Sequence, residues 1–269
     1  MTRRIIVGLV VAAIGLGTVA NAWTFDVLLL VIGLCCLYEL NRLCEIKGQP
    51  LEFPVAIVGV VGYVVLAAFG LVHKWEGVLL AGIVFAAFWI GMYGEQKGYF
   101  ARTAYTLLSV LYIGKLLTYF VFIRAIPGNG LWMTMYVIFM IAFTDIFGMV
   151  AGAMFGRTQL TKISPKKTVE GSLGALLIVA AFGAAAAQWV PMLHVLWWQG
   201  ASLGVATCIA AQAGDLVESA LKRDAGVKDA GEMISGHGGV LDRFDSYLFG
   251  GMAFFGILHL LGILQLQST

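Results

Sequence analysis

Acidic and basic side chains are concentrated between residues 215 and 245 of an otherwise apolar chain. Asp215, Glu218, Ser219 and Lys222 follow one another at the spacing i, i+3, i+4, i+7, so a helix places all four on one face. The same segment continues with further acids, bases and glycines: Arg223, Lys228, Asp229, Gly236, His237, Gly238, Gly239, Asp242, Arg243 and Asp245. A merely solvated loop has no need of glycines on both sides of a histidine, so this segment is a candidate reactive site.

These residue types suit a metal ion together with a polyphosphate. Mg²⁺ in proteins takes one or two carboxylates plus substrate phosphates, and Asp215 and Asp242 stand at the two predicted helix ends that bracket the segment. Basic side chains and the backbone N–H groups of Gly238 and Gly239 can hold phosphate oxygens. His237, flanked by glycines, suits contact with a phosphate or a base better than metal ligation. The predicted chemistry is metal-assisted phosphoryl or nucleotidyl transfer.

A second polar segment, residues 157–170, ends in Ser164-Pro-Lys-Lys-Thr-Val-Glu and is followed by Gly171. Lys166 and Lys167 are adjacent, and Thr168 supplies a hydroxyl group where a helix is predicted to begin. Cations and free N–H groups at a helix start both favour an anion. Ordinary positive charge beside a membrane explains the same lysines, and the residues alone leave these two interpretations equally open.

The elements that position these residues are membrane helices. The chain has 269 residues, of which 60% are apolar and only 12% charged, with a mean hydropathy of +0.91. Soluble domains are nearer half apolar and a quarter charged, which excludes the soluble, disordered and disulfide-framework classes. The apolar runs are long and unbroken rather than alternating, which favours helices over a barrel. With roughly 20 residues needed for each crossing, we expect an all-α polytopic protein with about nine transmembrane helices.

The distribution of basic residues predicts the topology. The predicted spans are residues 5–21, 25–43, 54–73, 77–94, 104–123, 131–155, 171–190, 195–217 and 246–264. Fourteen Lys and Arg residues fall on one side of these spans and only Lys74 and Arg124 on the other. The positive-inside rule then places the N-terminus and the polar loops 157–170 and 218–245 in the cytoplasm, and the C-terminus outside. Residues 1–22 also imitate a cleavable secretory signal, but we favour a retained first helix.

Two ionisable residues, Lys115 and Asp145, lie deep in predicted spans and at similar depth. A charge there needs a partner or a polar cavity. One interpretation pairs the two with each other; the other places Asp145 on a cavity that opens to the cytoplasm. Gly148, Gly152 and Gly156 predict a face that another helix approaches closely. Acids near the ends of spans, including Glu39, are interpreted as structural, as are the four cysteines.

Longer motifs in the same segments resemble the signature of the phosphatidate cytidylyltransferases, the CDP-diacylglycerol synthases. They are Ser219-Ala-Leu-Lys-Arg223, Lys228-Asp229 and His237-Gly-Gly-Val-Leu-Asp-Arg-Phe-Asp245, with Ser164-Pro-Lys-Lys-Thr168, Glu170-Gly171, Gly214-Asp215 and Glu218-Ser219 upstream. The specific resemblance covers about residues 142–246. Ser235 departs from the family pattern, in which proline or glycine precedes the glycine of the turn, and Phe147-Gly148 departs after Asp145.

The resemblance implies transfer of a cytidylyl group from CTP to phosphatidic acid, with Mg²⁺ and, in some members, K⁺. It implies that Asp215 and Asp242 are metal ligands. The other implied catalytic residues are Lys222, Arg223, Lys228, Asp229, His237, Arg243 and Asp245. The implied substrate-binding residues are Asp145, Ser164, Lys166, Lys167, Thr168, Glu218, Ser219, Gly238 and Gly239. Residues 1–130 then form a scaffold with dimer contacts, and residues 131–269 form the catalytic region.

Two other functions stay open at this point. A CTP-dependent polyprenol or phytol kinase shares the spans and the nucleotide but transfers a γ-phosphate. A transporter that uses Lys115 and Asp145 predicts functional charge in mid-membrane and idle loops, which is the opposite of the charge distribution seen. The expected partners are the two substrates and the lipid bilayer of a bacterial cytoplasmic membrane, with no nucleic acid. A homodimer is the default expectation for an oligomer.

Overall fold

The computed structural model of the chain describes residues 17–94, 96–231 and 238–263. Eight long helices run through these residues: α1 Ala22–Ile46, α2 Phe53–Ala68, α3 Val72–Gly91, α4 Tyr99–Arg124, α5 Gly130–Phe155, α6 Val169–Trp189, α7 Trp197–Asp224 and α8 Leu241–Leu260. The described residues contain no β-strand, and an isolated antiparallel bridge joins Gln159 and Thr168. The prediction of an all-α fold is confirmed.

All but α2 and α8 are long and apolar enough to cross a membrane, which gives six candidate spans among the described residues. Each of the eight helices overlaps a predicted span. Most of the predicted first span lies outside the described residues, so the count of nine stays a prediction, as does the orientation of the termini. The polar loop predicted at 218–245 is shorter, because α7 continues to Asp224 and α8 already begins at Leu241.

The chain divides into two compact units: Met1–Phe122 with Leu221–Phe244, and Ile123–Ala220 with Asp245–Thr269. The first unit contains α1, α2, α3 and nearly all of α4, together with the end of α7, the start of α8 and the segment between them. The second contains α5, α6 and most of α7 and α8. The functional division at residue 130 stays a prediction. The compact units are divided differently, since residues 221–244 group with the N-terminal helices.

In the first unit, α4 widens into a π-helical turn over Val110–Lys115. Gly114 faces α2 there, where an added Cβ would lie 3.0 Å from the Cα atom of Val60. The same turn carries Lys115, whose Nζ atom lies 2.5 Å from Oε1 of Glu76 on α3. The sequence did not predict this pair. The alternative that pairs Lys115 with Asp145 stays a prediction, because the two residues lie in different compact units.

In the second unit, the small-residue face predicted on α5 packs against α6. A Cβ added to Gly171 would lie 2.6 Å from the carbonyl oxygen of Gly148 and 3.0 Å from Cα of Gly152. The predicted close approach of another helix is therefore confirmed. This contact matters for function because α6 begins immediately after the lysines of the loop 157–168.

Candidate active site

The first unit contains a largely buried ion pair between two of the predicted site residues. Nζ of Lys222, on α7, lies 2.6 Å from Oδ1 of Asp242, on α8, and only 13% of each side chain is exposed. The chain brings them together because α7 ends and α8 begins on either side of one short segment. The pair places a positive and a negative group beside the glycine-rich turn, Gly238-Gly239.

Backbone donors fix the carboxylate of Asp242. Its Oδ2 atom accepts the N–H of Gly239 at 2.8 Å and of Ala230 at 3.3 Å. Asp242 lies in the first turn of α8, where the helix dipole favours a negative charge. Gly238 has φ +85, a left-handed conformation that favours glycine, and a Cβ there would come within 3.0 Å of Oδ2 of Asp242. Gly238 and Gly239, the described part of the predicted turn, therefore lie against this aspartate.

A third carboxylate in the first unit belongs to Glu39 on α1, which is completely buried. Its Oε1 accepts the N–H of Val240 at 3.0 Å and its Oε2 that of Leu241 at 2.7 Å. The sequence analysis interpreted Glu39 as structural and assigned it no contact with the site. An acid in an apolar span was the available signal, because such a group needs donors, but the donors are about 200 residues away along the chain.

The second unit contains a different lysine–aspartate pair. The ammonium group of Lys167 pairs with Oδ2 of Asp215, and the two side chains are 26% and 31% exposed. Oγ of Ser219 donates to Oδ1 of Asp215 at 3.3 Å, one turn further along α7. The residue before Asp215, Gly214, lies against α8, where an added Cβ would be 2.5 Å from the carbonyl oxygen of Asp245. Asp215 is thus fixed through its backbone more than through its carboxylate.

The loop that carries Lys167 is held by its own hydrogen bonds. The N–H of Leu160 donates to the carbonyl of Lys167 at 2.8 Å, and that of Val169 to the carbonyl of Thr158 at 2.9 Å. The side chain of Thr168 caps α6 by accepting the N–H of Gly171 at 3.1 Å. Glu170 reaches back to accept the N–H groups of Arg157 and Thr158, both at 3.1 Å. Together these bonds place Lys167 at the entrance to α6.

The remaining predicted site residues are placed as follows. Arg223, Lys228, Asp229, Arg243, Lys166 and Asp145 are exposed, Glu218 and Asp245 are buried, and Ser164 is intermediate. Nη1 of Arg223 donates to the carbonyl of Val227 at 3.3 Å, and the carbonyl of Ser164 accepts the N–H of Lys167 at 3.1 Å. The structure confirms that Asp215, Glu218, Ser219 and Lys222 share one helix, α7. His237 and Ser235 lie outside the described residues.

The carboxylates are suited to sharing a metal ion with a substrate. Within the described residues, no three His, Cys, Asp or Glu side chains form a group that could hold a metal. Asp215 and Asp242 are instead each paired with one lysine. Mg²⁺ needs only one or two carboxylates and completes its shell with phosphates and water, so magnesium binding here stays a prediction. That both aspartates bind one ion stays a prediction, because each is described within its own unit.

Comparison with known proteins identifies the family. The model of the cytidylyltransferase family matches residues 2–261. A phosphatidate cytidylyltransferase of Bacillus subtilis is 32% identical over 266 residues, which cover 93% of this chain and 94% of the relative. One from Staphylococcus aureus is 32% identical with 88% of each chain covered. One from Synechocystis is 41% identical over 175 residues, or 54% of this chain and 58% of the relative. Since the family model covers nearly the whole length, this multi-pass membrane protein belongs to the cytidylyltransferase family.

Proposed function

We propose that the protein transfers the cytidylyl group of CTP to phosphatidic acid, giving CDP-diacylglycerol and pyrophosphate. Relatives named for this reaction support the proposal over most of the chain length. The structural observation that carries it is the buried pair of Lys222 and Asp242 beside the turn of Gly238 and Gly239. A lysine and a carboxylate at one place can bind a nucleoside triphosphate together with its metal ion.

The chemistry is displacement at the α-phosphorus of CTP. A phosphate oxygen of phosphatidic acid forms the new P–O bond, the bond between the α-phosphorus and the bridging oxygen to the β-phosphate breaks, and pyrophosphate leaves. The lipid phosphate is already anionic near neutral pH, so it needs little help from a general base. The barrier comes largely from repulsion between two polyanions, and fixed positive groups lower it.

The chain supplies those positive groups from both polar segments. In the proposal, Lys222, Arg223, Lys228 and Arg243 bind phosphates of CTP, and Lys166 and Lys167 bind a phosphate of either substrate. Asp215 and Asp242 would hold Mg²⁺, which when bound neutralises phosphate charge and polarises the phosphorus. Asp229, His237 and Asp245 complete the nucleotide site. K⁺ as a helper ion rests on the family resemblance alone.

The membrane helices solve the second problem, which is access to a two-chain lipid. The proposed site lies on the cytoplasmic face, because the predicted polar loops 157–170 and 218–245 contain eight of the chain's 17 Lys and Arg residues. The phosphate of phosphatidic acid lies at that interface while its acyl chains stay in the bilayer. A bacterial cytoplasmic membrane is the proposed location.

The test uses purified protein with phosphatidic acid, Mg²⁺ and CTP labelled either in the base or at the γ-phosphate. We expect base label in the lipid phase, an equal amount of pyrophosphate in the aqueous phase, and loss of both with EDTA. Label from the γ-phosphate in the lipid, with a polyprenol as the better acceptor, would overturn the proposal in favour of a lipid kinase. No transfer to either lipid would overturn both.

A further inference from the structure

Glu39 is a buried acid that the proposed chemistry does not use. It lies on α1, seven residues before the end of that helix at Ile46, and its side chain is completely buried. Burying an ionised carboxylate costs free energy unless strong donors replace water. The protein meets that requirement with main-chain N–H groups from a distant part of the sequence, the start of α8.

The contacts of Glu39 surround the glycine-rich turn. Its two oxygens accept the N–H groups of Val240 and Leu241 at 3.0 and 2.7 Å. A Cβ added to Gly231 would lie 2.6 Å from Oε1, and one added to Gly239 would lie 2.5 Å from Oε2. The carboxylate therefore lies against the backbone of Gly231 and Gly239, where an added Cβ would clash with its oxygens.

Glu39 and Asp242 divide the donors of one short stretch. Asp242 accepts the N–H of Gly239, and Glu39 accepts the next two, from Val240 and Leu241. All three consecutive N–H groups, from residue 239 to residue 241, therefore donate to a carboxylate. A shift of Glu39 would move the backbone from Gly239 to Leu241 and, with it, the start of the helix that carries Asp242.

We propose that Glu39 is a positioning residue for nucleotide binding: its carboxylate fixes the backbone of residues 239–241 and thereby sets the place of Asp242 and of the glycine-rich turn. The inference rests on the proposed function. It gives the N-terminal helices a part in catalysis beyond forming a scaffold.

The test compares Glu39→Gln with Glu45→Gln. Glutamine keeps one acceptor oxygen but turns an amide donor toward the second N–H group, so one of the two bonds is lost. Glu45 lies on the same helix, is exposed, and accepts a hydrogen bond from Asn41 at 2.7 Å, which makes it the matched control. The measurements are kcat and KM for each substrate, and hydrogen–deuterium exchange of the amides at 239–241.

We expect Glu39→Gln to lower kcat/KM for CTP by about tenfold or more, the equivalent of one lost bond to a charged group. KM for phosphatidic acid should stay within about twofold of the wild type. The amides of Val240 and Leu241 should exchange faster, and Glu45→Gln should match the wild type in every measurement. A general structural role would instead lower the melting temperature and leave the kinetic constants of the folded protein unchanged, which would overturn the proposal.

A second variant covers failure to fold. If Glu39→Gln cannot be purified folded, Glu39→Asp keeps the charge but withdraws it by one methylene group, and the same selective loss for CTP is expected. Equal changes in both KM values, or unchanged exchange at 239–241, would contradict the inference. If the wild type shows no cytidylyl transfer, the proposed function fails, while the exchange measurement still tests the contact of Glu39 with the turn.

Discussion

The two lysine–aspartate pairs differ in how firmly the protein holds them. Lys222 and Asp242 are each 13% exposed, and two backbone N–H groups also bind the aspartate. Lys167 and Asp215 are 26% and 31% exposed, and the hydroxyl group of Ser219 donates a further hydrogen bond to that carboxylate. The first pair is built into the fold. The second is more exposed to solvent and is held by fewer backbone contacts.

Lysine and aspartate therefore serve different purposes in the two pairs. A buried pair that loses one member leaves an uncompensated charge, which costs about 3–5 kcal/mol. A pair exposed by a quarter to a third is screened by water and contributes about 0–1 kcal/mol. Asp242 is therefore expected to matter for both folding and chemistry, and Asp215 for chemistry alone. Four substitutions test the difference between the two pairs.

The largest effect is expected for Asp242→Asn. The amide cannot neutralise Lys222, and it retains only one oxygen for the N–H groups of Gly239 and Ala230. Activity should fall by about a hundredfold or more, as for the loss of a key electrostatic group, and the melting temperature should fall clearly. Radiolabel transfer and thermal unfolding in detergent measure the two effects. If Asp242→Asn has the melting temperature of the wild type, the pair with Lys222 does not contribute to the stability of the fold.

Asp215→Asn should separate activity from stability. We expect activity to fall by about a hundredfold, because the carboxylate is a proposed metal ligand. The melting temperature should change by no more than about 2–4 °C, because the pair with Lys167 is partly exposed. Raising the Mg²⁺ concentration should recover part of the activity. A loss of stability equal to that of Asp242→Asn would remove the distinction between the pairs.

Gly238→Ala tests whether the turn itself supports Asp242. Gly226→Ala is the matched control, because Gly226 also has a positive φ, +72, but an added Cβ meets no atom within 4 Å. Both variants pay about 1–2 kcal/mol of backbone strain. Only Gly238→Ala brings a methyl group to 3.0 Å from Oδ2 of Asp242, so its activity should be about tenfold lower than that of Gly226→Ala. Equal activities of the two variants would show that the backbone at Gly238 does not support Asp242.

The smallest effect is expected for Thr168→Val, which removes the helix cap beside Lys167. The free energy of unfolding should fall by about 1 kcal/mol. KM for the substrate whose phosphate Lys167 binds should rise modestly, because the loop that holds Lys167 becomes less ordered. Thr168→Ser keeps the hydroxyl group and should restore stability. Chemical denaturation and steady-state kinetics check both. A valine variant as stable as the serine variant would show that the bond to Gly171 contributes nothing to the loop.

The sequence predicted the helices well because each depends on a local property. Runs of about 20 apolar residues predict spans whatever lies around them. The glycines at 148, 152 and 156 predicted a close helix contact that α6 makes through Gly171. The helical spacing of Asp215, Glu218, Ser219 and Lys222 predicted their shared helix, α7. The ends were less accurate, since polar residues that continue a helix beyond the membrane do not interrupt its hydrogen bonds.

Pairing of side chains was not predictable to the same degree. One interpretation paired Lys115 with Asp145, and neither interpretation predicted the pair that Lys115 forms with Glu76. Lys167 and Asp215 were both assigned to phosphate and metal chemistry, but nothing in their spacing predicted that they contact each other. Such contacts depend on which helix faces are adjacent, and the periodicity of one helix carries no information about its neighbour.

The sequence by itself determined that this is a helical membrane protein with its chemistry in two polar segments, because hydrophobicity, charge and short motifs are local and additive. Only the folded chain shows which lysine pairs with each aspartate, and that the buried Glu39 accepts N–H groups at the start of α8, about 200 residues away along the chain. Those contacts follow from packing. A buried acid must be met by donors, and only the folded chain shows which backbone arrives to provide them.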